Sequence, residues 1–492
     1  MTHIVAIDQS TSATKAVLFD AAAQVVDRAV REHRQIYPQA GWVEHDAEEI
    51  WRNVLTVLRE LTQRNPGLVA TAAALSITNQ RETVVVFDKQ TGRPLHHAIV
   101  WQCRRGEQSC ETLRDSHHEE TVRAKTGLQL DAYFSGSKLK WLSQSCPQIR
   151  EQLESGEALV GTVDTYLIYR LTGTKVFATD HTNASRTLCF DIDRLRWDEE
   201  LCCLFDVPMR ALPEARESFA EFGSTNADGA LPVDLRICGV IGDSQASMFA
   251  QGCYEHGTCK ATFGTGTSVL LNTGRRIRSA ERGSVSALAW VWKGHPTYAA
   301  EGIINSSSAT IAWLKEQIGL IANVNEGEAL ARSIDDNGGV YLVPAFSGLG
   351  TPYWRPDARA AIVGMTTHST KAHVVRAALE SIAYQIRDVV EKLRVDSDAV
   401  PQLLLADGGA IGNEFLMQFT ADILQMEVVA TEVPESSARG AAMAGMLGMG
   451  MVSSIAELSA LPRKGRSYRP RMNAAAAQQL YSGWQTAVKR VF

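Results

Sequence analysis

Short apolar runs and longer stretches of helical periodicity alternate along the whole chain, the pattern of an α/β architecture. Apolar residues 4–7 and 16–19 flank the hydroxyl-rich turn Ser10-Thr11-Ser12, and two further apolar runs flank Gly264-Thr265-Gly266 in the same way. Both cassettes predict strand–turn–strand. Asp46-Ala-Glu-Glu49 predicts a helix N-cap with an acidic residue at N3, after which Ile50, Val54, Val57, Leu58 and Leu61 share one helical face. Residues 72–77 read as a buried strand and residues 83–87 as the next one. A second long helix is predicted over residues 372–393, with Val375, Leu379, Ile382, Ile386, Val389 and Leu393 at helical spacing. Its neighbours, residues 339–343 and 403–406, are apolar on both faces, as in parallel sheets covered by helices. The apolar stretch 441–452 is broken by Gly445, Gly448 and Gly450 and falls short of the roughly 20 residues a membrane span needs. It reads as a tightly packed internal helix.

Hydroxyls and unpaired N–H groups crowded into a tight turn form a concave donor surface suited to an anion such as phosphate. One such turn is ordinarily a chain reversal. Two, each opening a half of similar length, suggest a duplicated domain that grips a polyphosphate, and hence a nucleotide-dependent phosphotransferase. At 492 residues the chain exceeds what one core usually supports. A boundary near Ala250 divides it into domains 1–250 and 251–492, expected to pack across a cleft with hinge motion. The halves share the cassette design and no recognisable repeat. A hydrophobic content of 45%, a charged content of 21% and a net charge of −6 describe an ordinary globular chain and argue against a nucleic-acid surface. The nine scattered cysteines form no C-x-x-C pair and no zinc spacing, which fits a reduced cytoplasmic protein. The N-terminus leads almost directly into a strand, without signal-peptide features, so no membrane partner is expected.

Several residues stand where chemistry is done. Asp8 closes an apolar strand before the first turn; it reads as an Asx-turn residue or as a water-mediated Mg²⁺ anchor, with Lys15 nearby to neutralise phosphate. Asp243 ends the run 237–241 after Gly242, placed to take a proton from a substrate hydroxyl, to cap the helix that follows, or to do both. Asp407-Gly408-Gly409-Ala410-Ile411-Gly412-Asn413 lies between a strand and a helix, where paired glycines admit a flat or anionic ligand. Neither this segment nor Gly264-Thr-Gly266 matches a dinucleotide or P-loop fingerprint. Adjacent charges such as Arg81-Glu82 are usually solvated surface, but in a cleft they would bind vicinal hydroxyls, one donating and one accepting. Trp101 and Tyr133 are core residues or an apolar wall against a carbon chain.

These positions carry a resemblance. Ile36-Tyr-Pro-Gln-Ala-Gly-Trp-Val-Glu-His-Asp46, Ile77-Thr-Asn-Gln-Arg-Glu-Thr83, residues 98–105, Tyr133-Phe-Ser-Gly-Ser-Lys138, Thr182-Asn-Ala-Ser-Arg-Thr187, residues 343–350 and residues 364–380 run in the order found in the FGGY carbohydrate kinases, closest to their glycerol kinase branch. The resemblance covers nearly the whole chain. It implies two actin/hexokinase-like (ribonuclease H-like) α/β domains flanking a catalytic cleft that takes ATP and a small polyol or sugar. By resemblance, Thr11, Ser12, Ala13 and Lys15 form the first phosphate loop, Thr265 and Gly266 the second, and Gly409 and Asn413 the adenosine site. Asp243 matches the catalytic base, Asp8 and Asp243 the Mg²⁺ site, and Arg81, Glu82, Trp101 and Tyr133 the polyol pocket.

The departures concern substrate. Ser244 stands where glycerol kinases typically carry a Gln, and Ser268 where they carry a Phe, so both side chains shrink and gain a hydroxyl. That favours a four- to six-carbon polyol or ketose over glycerol, while the retained Arg81, Glu82, Trp101 and Tyr133 keep glycerol open. Ser308 and Ala312 replace a Gly and a Gln near the nucleotide, and residues 226–231 replace the effector loop of some glycerol kinases, so that regulation is not expected. A homo-oligomer, dimer or tetramer, is compatible with the resemblance. A non-catalytic ATP or sugar binder and a nucleotide hydrolase of the same fold are the alternatives from other classes.

Overall fold

The computed structural model describes residues 3–276, 283–397, 399–431 and 435–492. Its contacts divide into two compact units, Met1–Gly252 with Ser286–Tyr298 and Pro434–Pro462, and Cys253–Val285 with Ala299–Val433 and Arg463–Phe492. These units are discontinuous in sequence, whereas the boundary read from the chain is a single cut at residue 250.

In the first unit, strands β1 (His3–Gln9), β2 (Ala13–Phe19), β3 (Val25–Glu32), β4 (Ala72–Asn79), β5 (Glu221–Thr225) and β6 (Leu235–Gly242) form a six-stranded sheet in the order β5-β6-β4-β1-β2-β3. β4 runs parallel to both β1 and β6, in a register that pairs Thr78 with Asp8 and Asn79 with Gly242. The carboxyl ends of three adjacent strands therefore finish side by side, the edge at which open α/β sheets bind ligands. Helix α1 (Ala47–Arg64) is capped by Asp46, which accepts from the Glu48 N–H at 2.9 Å, and buries Ile50, Val54, Val57, Leu58 and Leu61 as its spacing predicts. Residues 83–87 join a separate four-stranded sheet: Val84–Asp88 pairs antiparallel with Ala158–Thr162 and Ala98–Ile99.

In the second unit, β7 (Cys259–Phe263), β8 (Thr267–Gly274), β9 (Leu403–Gly408), β10 (Glu427–Thr431) and β11 (Gly465–Tyr468) are consecutive, in the order β8-β7-β9-β10-β11, within a seven-stranded sheet. β9 is parallel to β7 and β10, as its apolar faces predict. The expectation for residues 339–343 is corrected: Tyr341–Val343 pairs only antiparallel, with Ala361–Val363. It reads as a buried sheet strand because the long helix Lys371–Asp396 and the helix Ala474–Val488 cover it, so burial is right and the hydrogen-bonding partner is not.

The glycine-studded stretch becomes a helix over Ser436–Gly448, packed on α2 (Asp243–Ala250) and on β6, β4 and β1. A Cβ on Gly440 would run into the Ala246 carbonyl, and one on Gly445 into the Ser76 hydroxyl. Near-contact of backbones explains why small residues fill this helix, and why it joins the first unit although it lies late in the chain. No helix among the described residues is long and apolar enough to cross a membrane.

Candidate active site

The first cassette is the hairpin its pattern predicts, and Ser10 stabilises its turn: the Ser10 hydroxyl donates to the Ala13 carbonyl at 2.9 Å and accepts from the Ala13 N–H at 3.2 Å. Asp8 is thereby released from the Asx-turn role. It pairs in register with Lys15 across the hairpin, their charges 3.5 Å apart. Lys15 also donates to Glu435 at 2.6 Å, and Glu435 takes Arg28 as well. Burial pushes the Asp8 carboxyl up to about 6; Lys15 opposes that rise, while Glu435 and Asp243 add to it. For Lys15, burial pulls the pKa down and the two carboxylates more than offset it. Thr11 and Ser12 form the turn, Ser12 exposed, and Ala13 is buried at the start of β2.

Asp243 follows β6 directly and is the first residue of α2, with Gly242 in the capping position. Its side chain is 35% exposed, lies 3.4 Å from the Arg81 guanidinium, and accepts from the Ser244 N–H at 2.6 Å. A half-open carboxylate held beside a buried cation can be reached by a hydroxyl.

Arg81 and Glu82 are not solvated surface; both are buried at the end of β4. Glu82 holds a left-handed backbone at φ 61°, and its carbonyl accepts from Ser135 at 3.0 Å. Its carboxylate takes the Arg186 Nε at 2.6 Å, while Arg81 donates to Gln245 at 3.1 Å. The Trp101 and Tyr133 rings lie 5.4 Å apart at 58°, and the Trp101 indole N–H donates to the Thr11 hydroxyl at 3.0 Å. A hydroxyl that accepts from the indole keeps its own proton to donate elsewhere. The buried Lys138 ammonium donates to the carbonyls of Ala132, Tyr133 and Phe134, so it pins the loop that carries Tyr133. Burial draws its pKa down to about 8.

In the second unit, Thr265 is exposed at the tip of its turn, and a Cβ on Gly266 would lie 2.5 Å from the Ile304 carbonyl. The N–H groups of Ser307, Ser308 and Ala309 are already donated to the carbonyls of Thr265 and Gly264. The donors around this turn include hydroxyls: those of Thr267, Ser307, Ser308 and Thr310 have no hydrogen-bond partner among the described residues. Ser268 donates to the buried Glu301 at 2.8 Å. Gly409 is exposed with open space at its Cβ position. Asn413 caps the helix Glu414–Leu424 through its oxygen, accepting from the Leu416 N–H at 2.9 Å, while its buried amide nitrogen has no partner among the described residues.

The two halves of the sequence match the N-terminal domain model of the FGGY family of carbohydrate kinases over residues 3–250 and its C-terminal domain model over residues 259–449. The chain belongs to the FGGY family of carbohydrate kinases. Among its relatives, glycerol kinase 1 of Thermotoga maritima and the glycerol kinase of Desulfitobacterium hafniense are each 45% identical over 489 residues, covering 99% of both chains compared. The ADP-bound glycerol kinase of Plasmodium falciparum superposes with a TM-score of 0.92 at 34% identity, covering 100% of this chain and 98% of that one. This FGGY kinase is therefore an ATP-dependent phosphotransferase with the actin/hexokinase-like fold, acting on an alcohol group of a small polyol or sugar.

Several residues of this FGGY kinase that hold the site together escape sequence reasoning. Glu435 lies 420 positions from Lys15, and Arg186 lies 104 from Glu82. No local pattern links such partners. Arg186 and Lys138 do stand in motifs shared with the family, but a motif match carries no role; only burial marks them as charges that must be paired.

Proposed function

We propose that Asp243 accepts the proton of a primary hydroxyl as that oxygen attacks the γ-phosphoryl group of ATP. What carries this reading is the placement of a half-open carboxylate at the strand-end edge, beside the buried Arg81 and close enough to Asp8 to raise its pKa. Phosphoryl transfer depends mainly on positioning and on charge stabilisation. Lys15, with Thr11, Ser12 and Ala13 in the first unit, and Thr265 and Gly266 in the second, would hold phosphate oxygens. Gly409 and the Asn413 amide would meet the adenosine. Glu82 accepts from, and Arg81 donates to, vicinal hydroxyls of the acceptor, and the Trp101 and Tyr133 rings pack on its carbons.

Asp8 and Asp243 would hold Mg²⁺ through water. The carboxylates of Glu435 and Asp243 both act on the buried Asp8, with Lys15 as the neighbouring cation, a charge balance that a divalent ion suits. Bound there, Mg²⁺ would neutralise charge on the transferring phosphates.

The polar Ser268–Glu301 pair, at a position where the resemblance puts a phenylalanine, supports a four- to six-carbon polyol or ketose as the acceptor. Glycerol is the second reading, supported by the 45%-identical glycerol kinases. The test is ADP release with ATP and a panel from glycerol to six-carbon polyols and ketoses. The reading expects acceptor-dependent turnover that falls by about 10²–10⁴-fold in Asp243→Asn with binding retained. Turnover without any acceptor would make the chain a hydrolase, and ATP binding without turnover a regulator.

A further inference from the structure

Within the motif Thr182–Thr187, Arg186 holds Glu82, and the first residues reach the backbone that carries Asp243. The four-residue helix His181–Ala184 sits beside the carboxyl ends of β4 and β6. The Gly242 N–H donates to the Thr182 hydroxyl at 2.8 Å, and that hydroxyl donates onward to Asp180 at 2.9 Å. Asp180 also accepts from the Thr182 N–H and the Asn183 N–H, each at 2.9 Å, from the Asn183 amide at 2.8 Å and from the Ser218 hydroxyl at 2.6 Å. Each of these bonds is donated to the carboxylate. The Thr182 proton is thus committed to Asp180, and the hydroxyl meets Gly242 as an acceptor. One residue along, Asn183 and Asn79 exchange amide hydrogen bonds at 3.0 and 3.1 Å, which ties the same short helix to the strand end that precedes Arg81 and Glu82. Asp180, Thr182, Asn183 and Asn79 are all fully buried.

We propose that Thr182, oriented by Asp180, is a positioning residue for the reaction: it fixes the peptide at Gly242 and thereby the place of the Asp243 carboxylate relative to the acceptor hydroxyl. The physical reason lies in the break between strand and helix. Gly242 is the last residue of β6, its N–H is turned to the Thr182 hydroxyl, and without that acceptor the buried N–H would be left unpaired and free to tilt the first turn of α2. A small misplacement of a reacting group is enough to slow a transfer step strongly.

The inference rests on Asp243 being the base, so the experiment separates the two. Thr182→Val keeps the shape and removes both bonds. It should lower kcat by about 10- to 100-fold, with the KM for ATP and acceptor near wild type. Thr182→Ser, which keeps the hydroxyl, should restore kcat. In an Asp243→Asn background, Thr182→Val should add no further loss. If Thr182→Val is not recovered folded, Thr182→Cys, of similar volume and weaker in both bonds, takes its place with the same expectation. Normal kcat in folded Thr182→Val alongside a dead Asp243→Asn would overturn the positioning role. So would an equal loss in Thr182→Ser, which would assign the effect to methyl packing, or a full additional loss in the Asp243→Asn background. Normal turnover in Asp243→Asn itself would instead overturn the base assignment.

Discussion

Replacing Arg186 by Met should destabilise the first unit and impair acceptor binding through one cause. The Arg186 side chain is 0% exposed and that of Glu82 2%, and their charges meet at 2.6 Å. Breaking a buried ion pair by removing one partner costs about 3–5 kcal/mol, because the remaining charge stays desolvated. Arg81 keeps its Nε 3.9 Å from the same carboxylate and compensates in part. The lower end, about 3 kcal/mol, is therefore expected. For a unit of this size that corresponds to a fall in melting temperature of about 5 °C. A Glu82 carboxylate that has lost its main cation is also pushed toward its protonated form, and then donates where it should accept from the substrate. KM for the acceptor should rise more than KM for ATP. Calorimetry and steady-state kinetics on Arg186→Met, Glu82→Gln and the double variant check both parts. The double variant should recover much of the lost stability, since no unpaired charge remains, without recovering activity. A melting temperature for Arg186→Met within a degree or two of wild type would refute the reasoning, and so would a double variant no more stable than Arg186→Met.

Trp101→Phe keeps an aromatic wall but removes the N–H that meets Thr11. It should raise KM for ATP by about fivefold, the equivalent of ~1 kcal/mol for one hydrogen bond; a change confined to the acceptor KM would make Trp101 a wall alone. Lys138 gives a pH signature. Its folded pKa of about 8 lies below its ordinary 10.5, so between these values the unfolded chain retains a proton that the folded chain has released. Stability should therefore gain from this group as pH rises through that window, by about 3 kcal/mol, measured as the denaturant midpoint of wild type against Lys138→Met at each pH. A pH-independent difference between the two would count against the buried, depressed ammonium.

Much of this protein is legible in local pattern. The two hairpins, the capped helix Ala47–Arg64, the long helix Lys371–Asp396 and the strand end before Asp243 all follow from apolar spacing, a capping residue or a turn, because each depends on neighbours a few positions away. The motifs Ile77–Thr83, residues 98–105 and Tyr133–Lys138, matched to the family, brought the candidate acceptor-binding residues Arg81, Glu82, Trp101 and Tyr133 into view. What local pattern misjudged was partnership. Tyr341–Val343 is as buried as its composition implies, yet it pairs with Ala361–Val363, since burial does not say which backbone supplies the hydrogen bonds. Arg81-Glu82 looks like solvated charge until Arg186 and Gln245 enclose it. Asp8 reads locally as a turn residue or as a metal anchor, and pattern alone does not show that Ser10 holds the turn or that Glu435 takes Lys15. The run of small residues in Ser436–Gly448 suggests close packing, but only the fold reveals the backbones of Ala246 and Cys238 as what it packs against. Chain sequence determines which segments become strands and helices, because those choices are settled within a few residues. Which charges are buried together, and which hydroxyl orients which backbone, is decided only when segments more than 100 positions apart meet, as Arg186 meets Glu82.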